Sequence, residues 1–326
     1  MIKMDLDKAI TDLKKLRAKK VLVQIPEGLK VRTEEIATQL EKEGLTIVLA
    51  MEPCFGACDI KVDEAKRLGC DTVLHFGHNA FMQINEIPVV YAPLQYELKN
   101  YQSLSEKLIK HLQKKNVKTI GLVTTVQYAD YVPKIIELLK KEGINTKTQK
   151  GPRVEEAQVL GCNYSAVPSG VDTIVYFGDG LFHPLGIHFS AQSEVIICNP
   201  ATDEVSELGK EKDKFLRQRI LLIERAKEAR SYAILVSSKV GQERMKFAES
   251  IKTELIMHGK EAQIYAMDFI SESKLLGTHA DAYINTACPR ISIDDFFAFK
   301  KPIINGSEVK YLLGKSYDDY KLDAVY

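Results

Sequence analysis

One passage of sequence recurs three times along this 326-residue chain, and a chain built that way has few folds open to it. The first copy opens with the apolar run Val21-Leu-Val-Gln-Ile25. A helical stretch from Glu34 to Glu43 follows and stops at Gly44. Then come a run from Thr46 to Ala50, a second helix around Val62–Leu68, and the run Thr72-Val-Leu-His-Phe76. The second copy opens with Thr119-Ile-Gly-Leu-Val123, has a helix through Ile135–Lys141 ending at Gly143, and reaches Thr173-Ile-Val-Tyr-Phe177. The third opens with Ala233-Ile-Leu-Val-Ser237, has a helix through Glu243–Met257 ending at Gly259, and reaches Ala282-Tyr-Ile-Asn285.

Short phrases echo between copies. Glu41-Lys-Glu-Gly44 answers Lys140-Lys-Glu-Gly143, Gly69-Cys-Asp-Thr-Val73 answers Gly170-Val-Asp-Thr-Ile174, and Phe76-Gly-His-Asn79 answers Phe177-Gly-Asp-Gly180. Helices that stop at glycine and lead into short β-branched runs are the pattern of βαβ units in a parallel sheet. The expectation is an α/β protein of three homologous βαβ domains in a pseudo-threefold arrangement around a central site. The domains are set at residues 1–100, 101–205 and 206–326, the last opening with a charged helix over Glu207–Arg230. In parallel sheets ligands bind at the carboxyl ends of the strands, so the loops of all three copies should line that centre.

Composition narrows the setting. The charge balance, 45 basic against 44 acidic residues, leaves no footprint for nucleic acid. No apolar run approaches the roughly 18–20 residues a bilayer-spanning helix needs, so no membrane partner is expected. The stretch Met1 to Lys20 is lysine-rich and reads as an amphipathic helix (Leu6, Ile10, Leu13, Leu16) rather than a signal peptide. The expected compartment is the cytoplasm, where six cysteines are not a disulfide framework but core filler, metal ligands or nucleophiles.

Local context sorts the cysteines. Cys198, inside Val195-Ile-Ile-Cys198, and Cys70, ahead of a strand, read as core. Cys54 and Cys58 lie in the loop Glu52-Pro-Cys-Phe-Gly-Ala-Cys58-Asp59, Cys162 follows Gly161, and Cys288 lies in Asn285-Thr-Ala-Cys288-Pro-Arg290. Each copy thus offers a cysteine among small residues, which let backbone approach a bulky ligand. Single cysteines so far apart fit no zinc-finger spacing. Two readings stand on pattern alone: three thiolates holding a 4Fe–4S cluster with one iron left open, or three scattered structural cysteines.

The motifs Gln24-Ile-Pro-Glu-Gly-Leu29, Gly56-Ala-Cys58-Asp59, His75-Phe-Gly-His78, Gly161-Cys162-Asn163 and Ala287-Cys288-Pro-Arg290, taken in order, resemble the archaeal diphthamide synthase family that catalyses the first step of diphthamide formation. So do Tyr176-Phe-Gly-Asp-Gly-Leu-Phe-His183 and Ser237-Ser-Lys-Val-Gly-Gln242. The resemblance runs nearly end to end. It implies a 4Fe–4S cluster on Cys58, Cys162 and Cys288, with S-adenosylmethionine (SAM) as co-substrate. It also implies transfer of a 3-amino-3-carboxypropyl group to C2 of a histidine imidazole in translation elongation factor two. The implied route is radical: one electron cleaves the Cγ–S bond and methylthioadenosine leaves. A reductant and a homodimer of this chain are further implications. Radical-SAM enzymes of the usual kind carry CxxxCxxC, whereas Lys61 stands where the third cysteine would be. Cys54 is therefore read as structural, or as supporting the ligands from behind.

Candidate SAM contacts are weighed against plainer roles. Pro26, Glu27 and Gly28 follow the first strand; Glu27 either meets the substrate ammonium or caps the next helix. His75 reads as a core histidine and His78 as a polar contact. Asp179, Gly180 and His183 occupy the matching loop of the second copy. Gly241 and Gln242 follow the first strand of the third copy and could approach the nucleoside. Arg290 either pairs with the SAM carboxylate or bonds its own loop. The helix Lys212–Arg230 reads as a solvated face. The rival readings are a quinolinate synthase-like enzyme, which shares the three-repeat plan, and a non-catalytic 4Fe–4S electron-transfer partner.

Overall fold

The computed structural model of the chain describes residues 2–322 and contains three sheets. The first holds β1 (Ile2–Met4), β2 (Lys20–Gln24), β3 (Thr46–Ala50), β4 (Thr72–Gly77) and β5 (Val89–Tyr96). The second holds β6 (Thr119–Thr124), β7 (Asn145–Lys147), β8 (Thr173–Phe177), β9 (Glu194–Asn199) and β10 (Glu204–Glu207). The third holds β11 (Ser231–Ser237), β12 (Glu261–Met267), β13 (Ala282–Asn285) and β14 (Ile303–Asn305).

The spatial orders are β3-β2-β4-β5-β1, β7-β6-β8-β9-β10 and β12-β11-β13-β14. Each sheet therefore has the same parallel core, in which the first strand of the repeat lies between the second and the third. β1 and β10 are antiparallel additions to the fourth strands β5 and β9. Strand order reverses beside the first strand in every sheet, which opens a crevice at the carboxyl ends there.

The local causes are legible. Gly44, Gly143 and Gly259 end their helices with φ of +82°, +74° and +71°, a left-handed conformation that costs a side chain dearly. Val21, Val23, Leu74 and Phe76 pack on one face of the first sheet, and Leu22, Val73 and Ile60 on the other. Both faces being covered explains the continuous apolar runs. The second and third sheets are covered on both faces in the same way.

Two expectations need correction. The helix expected over Met1 to Lys20 is shorter, Leu6–Lys15, and Ile2–Met4 forms an edge strand on β5 instead; Met1 lies outside the described residues. Asp5 sets the start by accepting from Lys8 N–H at 2.9 Å, and Leu16 falls just past the end, exposed. The charged helix, Lys210–Lys227, is not merely a solvated face: Phe215, Leu222 and Ile223 pack inward, and Arg219 is fully buried. The second repeat has no helix between β7 and β8; residues 148–172 form an irregular loop that carries Cys162.

Candidate metal centre

The six thiols divide by exposure. Cys54, Cys70 and Cys198 are buried, whereas Cys58, Cys162 and Cys288 are only partly covered. Cys58 and Cys162 stand on loops after the second strands of their repeats, and Cys288 after a third strand, so the positions are not equivalent along the repeat.

Cys58 is gripped by the third repeat. The loop after β11 lies against it so closely that a Cβ on Gly241 would sit 2.5 Å from Cys58 Cα. Gly241 N–H donates to the Cys58 carbonyl at 2.9 Å, and Gln242 Nε2 donates to Cys58 Sγ at 3.3 Å. Two buried charges pin the same contact, for the Lys239 ammonium meets the Asp59 carboxylate. Lys61 adds a second cation to Asp59 at 3.1 Å and reaches Asp268 at 3.3 Å. Lys239 also lies 5.1 Å from the centre of the Phe55 ring, which is stacked on Phe269.

Cys288 is held by its own strand end and by the second repeat. Asn285 Nδ2 donates to the Cys288 carbonyl at 2.8 Å and to Asn305 Oδ1 at 3.1 Å. Two residues on, the Arg290 guanidinium lies over the Phe182 ring at 4.8 Å. That ring fills the space where a Cβ on Gly161 would fall, 2.4 Å away. Gly161 is followed by Cys162, at the tip of a tight turn in which Leu160 and Asn163 exchange N–H···O bonds of 2.9 and 3.0 Å. Asn163 locks the turn, donating to the Pro152 carbonyl at 2.7 Å and accepting from Ser165. The buried Tyr164 phenol donates to the Gly161 carbonyl at 3.1 Å, and its pKa is raised by burial and then by the Cys162 thiol.

Cys58 and Cys288 open on one cavity of about 340 Å³, whose walls include Phe55, Gln242, Phe269 and Arg290. Burial, followed by the neighbouring Cys58, pushes the Cys288 thiol up to about 12. Burial also raises Cys58, against the Gln242 hydrogen bond. A metal bound among these thiols would supply positive charge that favours their thiolate form. Among the described residues, no three His, Cys, Asp or Glu side chains meet closely enough to share a single ion. A multi-iron cluster takes one thiolate at each of several corners, so its ligands need not meet at a point. The donor set suits such a cluster.

The remaining sequence-singled residues fall in two groups. Gln242 and Arg290 line the cavity, and Gly241 seats the loop beneath Cys58. Pro26, Glu27, Gly28, His78, Asp179, Gly180 and His183 lie at strand ends outside that lining. Pro26 packs against Gly77. Glu27 is half exposed and paired with Lys30 at 2.5 Å. Asp179 and Gly180 are exposed, while His183 is stacked on Tyr176 and held neutral, its pKa lowered to about 4 by burial and then by Arg290.

His75 proves to be part of a proton-ordered chain. Gln24 must turn its Nε2 to the Asp59 carbonyl, because that oxygen only accepts, so its Oε1 faces Lys61 N–H and His75 Nδ1. Nδ1 of His75 therefore donates, and its Nε2 accepts from His78 Nδ1 at 3.0 Å. Burial lowers His75 to about 3, and Cys54 Sγ lies 4.0 Å from its Nδ1. Lys239, Asp59, Asp268 and the Phe55–Phe269 pair were missed from sequence. The Ser237–Gln242 motif holds Lys239 and the Gly56–Asp59 motif holds Asp59, though neither was given a role, and nothing local marks Asp268.

The fold and the site together define a three-sheet α/β protein in which Cys58 and Cys288 share one cavity, and the turn carrying Cys162 is joined to the Cys288 segment through Phe182 and Arg290. The chain belongs to the putative diphthamide synthesis protein family, whose model matches residues 25–321. It is 35% identical over 320 residues to the 2-(3-amino-3-carboxypropyl)histidine synthase of Pyrococcus horikoshii, covering 97% of this chain and 92% of that one. The synthase of the same name from Methanocaldococcus jannaschii is 31% identical, with 94% and 87% covered. The crystal structure of Dph2 from Pyrococcus horikoshii with a 4Fe–4S cluster superposes with a TM-score of 0.93 at 33% identity, covering all of this chain and 95% of that one.

Proposed function

We propose that this chain is a 2-(3-amino-3-carboxypropyl)histidine synthase that holds a 4Fe–4S cluster on Cys58, Cys162 and Cys288. The observation that supports this reading most is the cavity on which Cys58 and Cys288 both open, in a chain of this family. The reaction exchanges the Cγ–S bond of SAM for a carbon–carbon bond to imidazole C2 in translation elongation factor two, releasing methylthioadenosine and a proton. When bound, a cluster held by three thiolates supplies the electron and an open iron.

The chain's own residues position the reactants. Arg290, on the cavity wall beside Cys288, suits the SAM carboxylate, while Asp268, Asp294 and Asp295 form an anionic wall for its ammonium and sulfonium. Phe55 and Phe269 offer an apolar stacked face for the nucleoside. Ile270 and Ile291 keep that wall dry. All three thiols come from one chain, which suits a homodimer served by a one-electron reductant in the cytoplasm; among the described residues no helix is long and apolar enough to cross a membrane. The relatives' names favour this reading over a quinolinate synthase-like enzyme or a non-catalytic electron carrier.

The test is anaerobic purification of wild type and of Cys58→Ala, Cys162→Ala and Cys288→Ala, with iron content, absorption near 400 nm, and products after dithionite and SAM. About four irons per chain, depleted in each variant, with methylthioadenosine formed by wild type, is the expected result. A full cluster that yields no methylthioadenosine would return the electron carrier. No iron in any preparation would end the proposal.

A further inference from the structure

We propose that Gln242 tunes the cluster's reduction: its side-chain amide, delivered by the third repeat, donates to the Cys58 sulfur and makes the centre easier to reduce. This rests on the reading of Cys58 as a ligand and assigns Gln242 a task separate from holding SAM.

The geometry is built rather than incidental. Gln242 Nε2 lies 3.3 Å from Cys58 Sγ, and Gln242 is only 7% exposed. Its backbone is fixed from both sides. Gln242 N–H donates to the Lys239 carbonyl at 2.9 Å, Gly241 N–H to the Cys58 carbonyl at 2.9 Å, and the Lys239 ammonium is buried against Asp59. Gly241 admits no side chain there, so the loop approaches Cys58 as closely as backbone can. A thiolate is acceptor only, so a glutamine in this seat must present its N–H groups. A hydrogen bond to a ligand sulfur disperses its negative charge. It stabilises the reduced, more negative state more than the oxidised one, which raises the potential. The surroundings push the other way, since the Asp59 carboxylate works against charge on Cys58. Gln242 is thus a positioning residue that acts through Cys58, with no need to touch substrate.

The test is a redox titration of the anaerobic holoenzyme, followed by its visible absorption and electron paramagnetic resonance signal, for wild type, Gln242→Leu and Cys58→Ala. The expected result is that Gln242→Leu keeps its irons. Its reduction equilibrium shifts about tenfold against the reduced state, equal to about 59 mV for one electron. A full cluster with an unchanged midpoint, or a raised KM alone, overturns the inference. If Gln242→Leu loses its irons, the wild-type reduced cluster with side-chain-labelled ¹⁵N-glutamine decides: a hyperfine coupling to that nitrogen upholds the contact, and its absence overturns it. Full iron in Cys58→Ala would instead overturn the ligand assignment beneath it.

Discussion

Arg219 and Glu308 meet as a two-point fork, Nε to Oε1 at 2.9 Å and Nη2 to Oε2 at 2.6 Å, with both side chains 1% exposed. Arg219 also donates to the Ser292 carbonyl. Glu308 accepts from Tyr320 Oη at 2.6 Å and from Asn305 N–H at 2.7 Å. The pair thus ties the long charged helix and the strand-end turn to the segment that follows Cys288. Removing one partner strands a buried charge, at a cost of roughly 3–5 kcal/mol. Glu308→Ala should therefore lower the urea midpoint sharply, while Arg219→Met with Glu308→Leu should recover most of the loss. Equal destabilisation by the single and double variants would show that the charge pair is not what matters.

Acid should weaken the fold through histidine. His75 is held neutral at about 3 by burial and then by His78, and His183 at about 4. Unfolded histidine takes up its proton near pH 6.5, so the unfolded chain binds more protons between that pH and the folded values. Stability is full above about pH 6.5 and should fall below it, by up to about 1.4 kcal/mol per pH unit for each ring. The groups around His75 are Gln24, Cys54, His78 and Tyr91. His75→Gln should flatten the slope in denaturation curves taken from pH 7 to pH 4. A slope as steep as wild type would contradict the linkage.

Arg290 is expected to act in binding. It stands over Phe182, paired with Asp294 at 2.6 Å, on the cavity wall that Cys288 shares. Loss of a charge-assisted hydrogen bond costs about 1.5–3 kcal/mol, or about 10- to 100-fold. Arg290→Met should raise the SAM KM by that factor and leave the iron content intact. An unchanged KM would remove Arg290 from the binding wall.

The buried thiols should be dispensable for iron. Cys54→Ala, Cys70→Ala and Cys198→Ala each leave a small void at a cost of about 1 kcal/mol. Their iron content should match wild type. Depletion in Cys54→Ala would place that sulfur among the ligands, beyond its contact with His75.

Much of this architecture is written in local sequence. The glycine stops at Gly44, Gly143 and Gly259 and the apolar runs set strand against helix, because each is a short-range preference that the sheet then satisfies. The small residues around Cys58, Cys162 and Cys288 likewise mark places where backbone comes close. The partnerships across repeats are not written there. Lys239 with Asp59, Gly161 with Phe182 and Arg219 with Glu308 join residues remote in sequence, and nothing near either member names the other. Arg219 shows the hazard: on a helix crowded with lysine, arginine and glutamate, a charge that points inward looks like its solvated neighbours.

The seat of Gly241 on Cys58 bears on how the centre is made. A ribosome releases the first sheet, with Cys58, long before the loop that closes over it, and Cys288 emerges later still. On the proposed ligand set, a nascent or truncated chain offers iron at best an open, water-filled half-site. Cluster insertion must then wait for the finished polypeptide. Iron occupancy in a cell would accordingly count only chains whose last sheet has docked, a built-in certificate of completion.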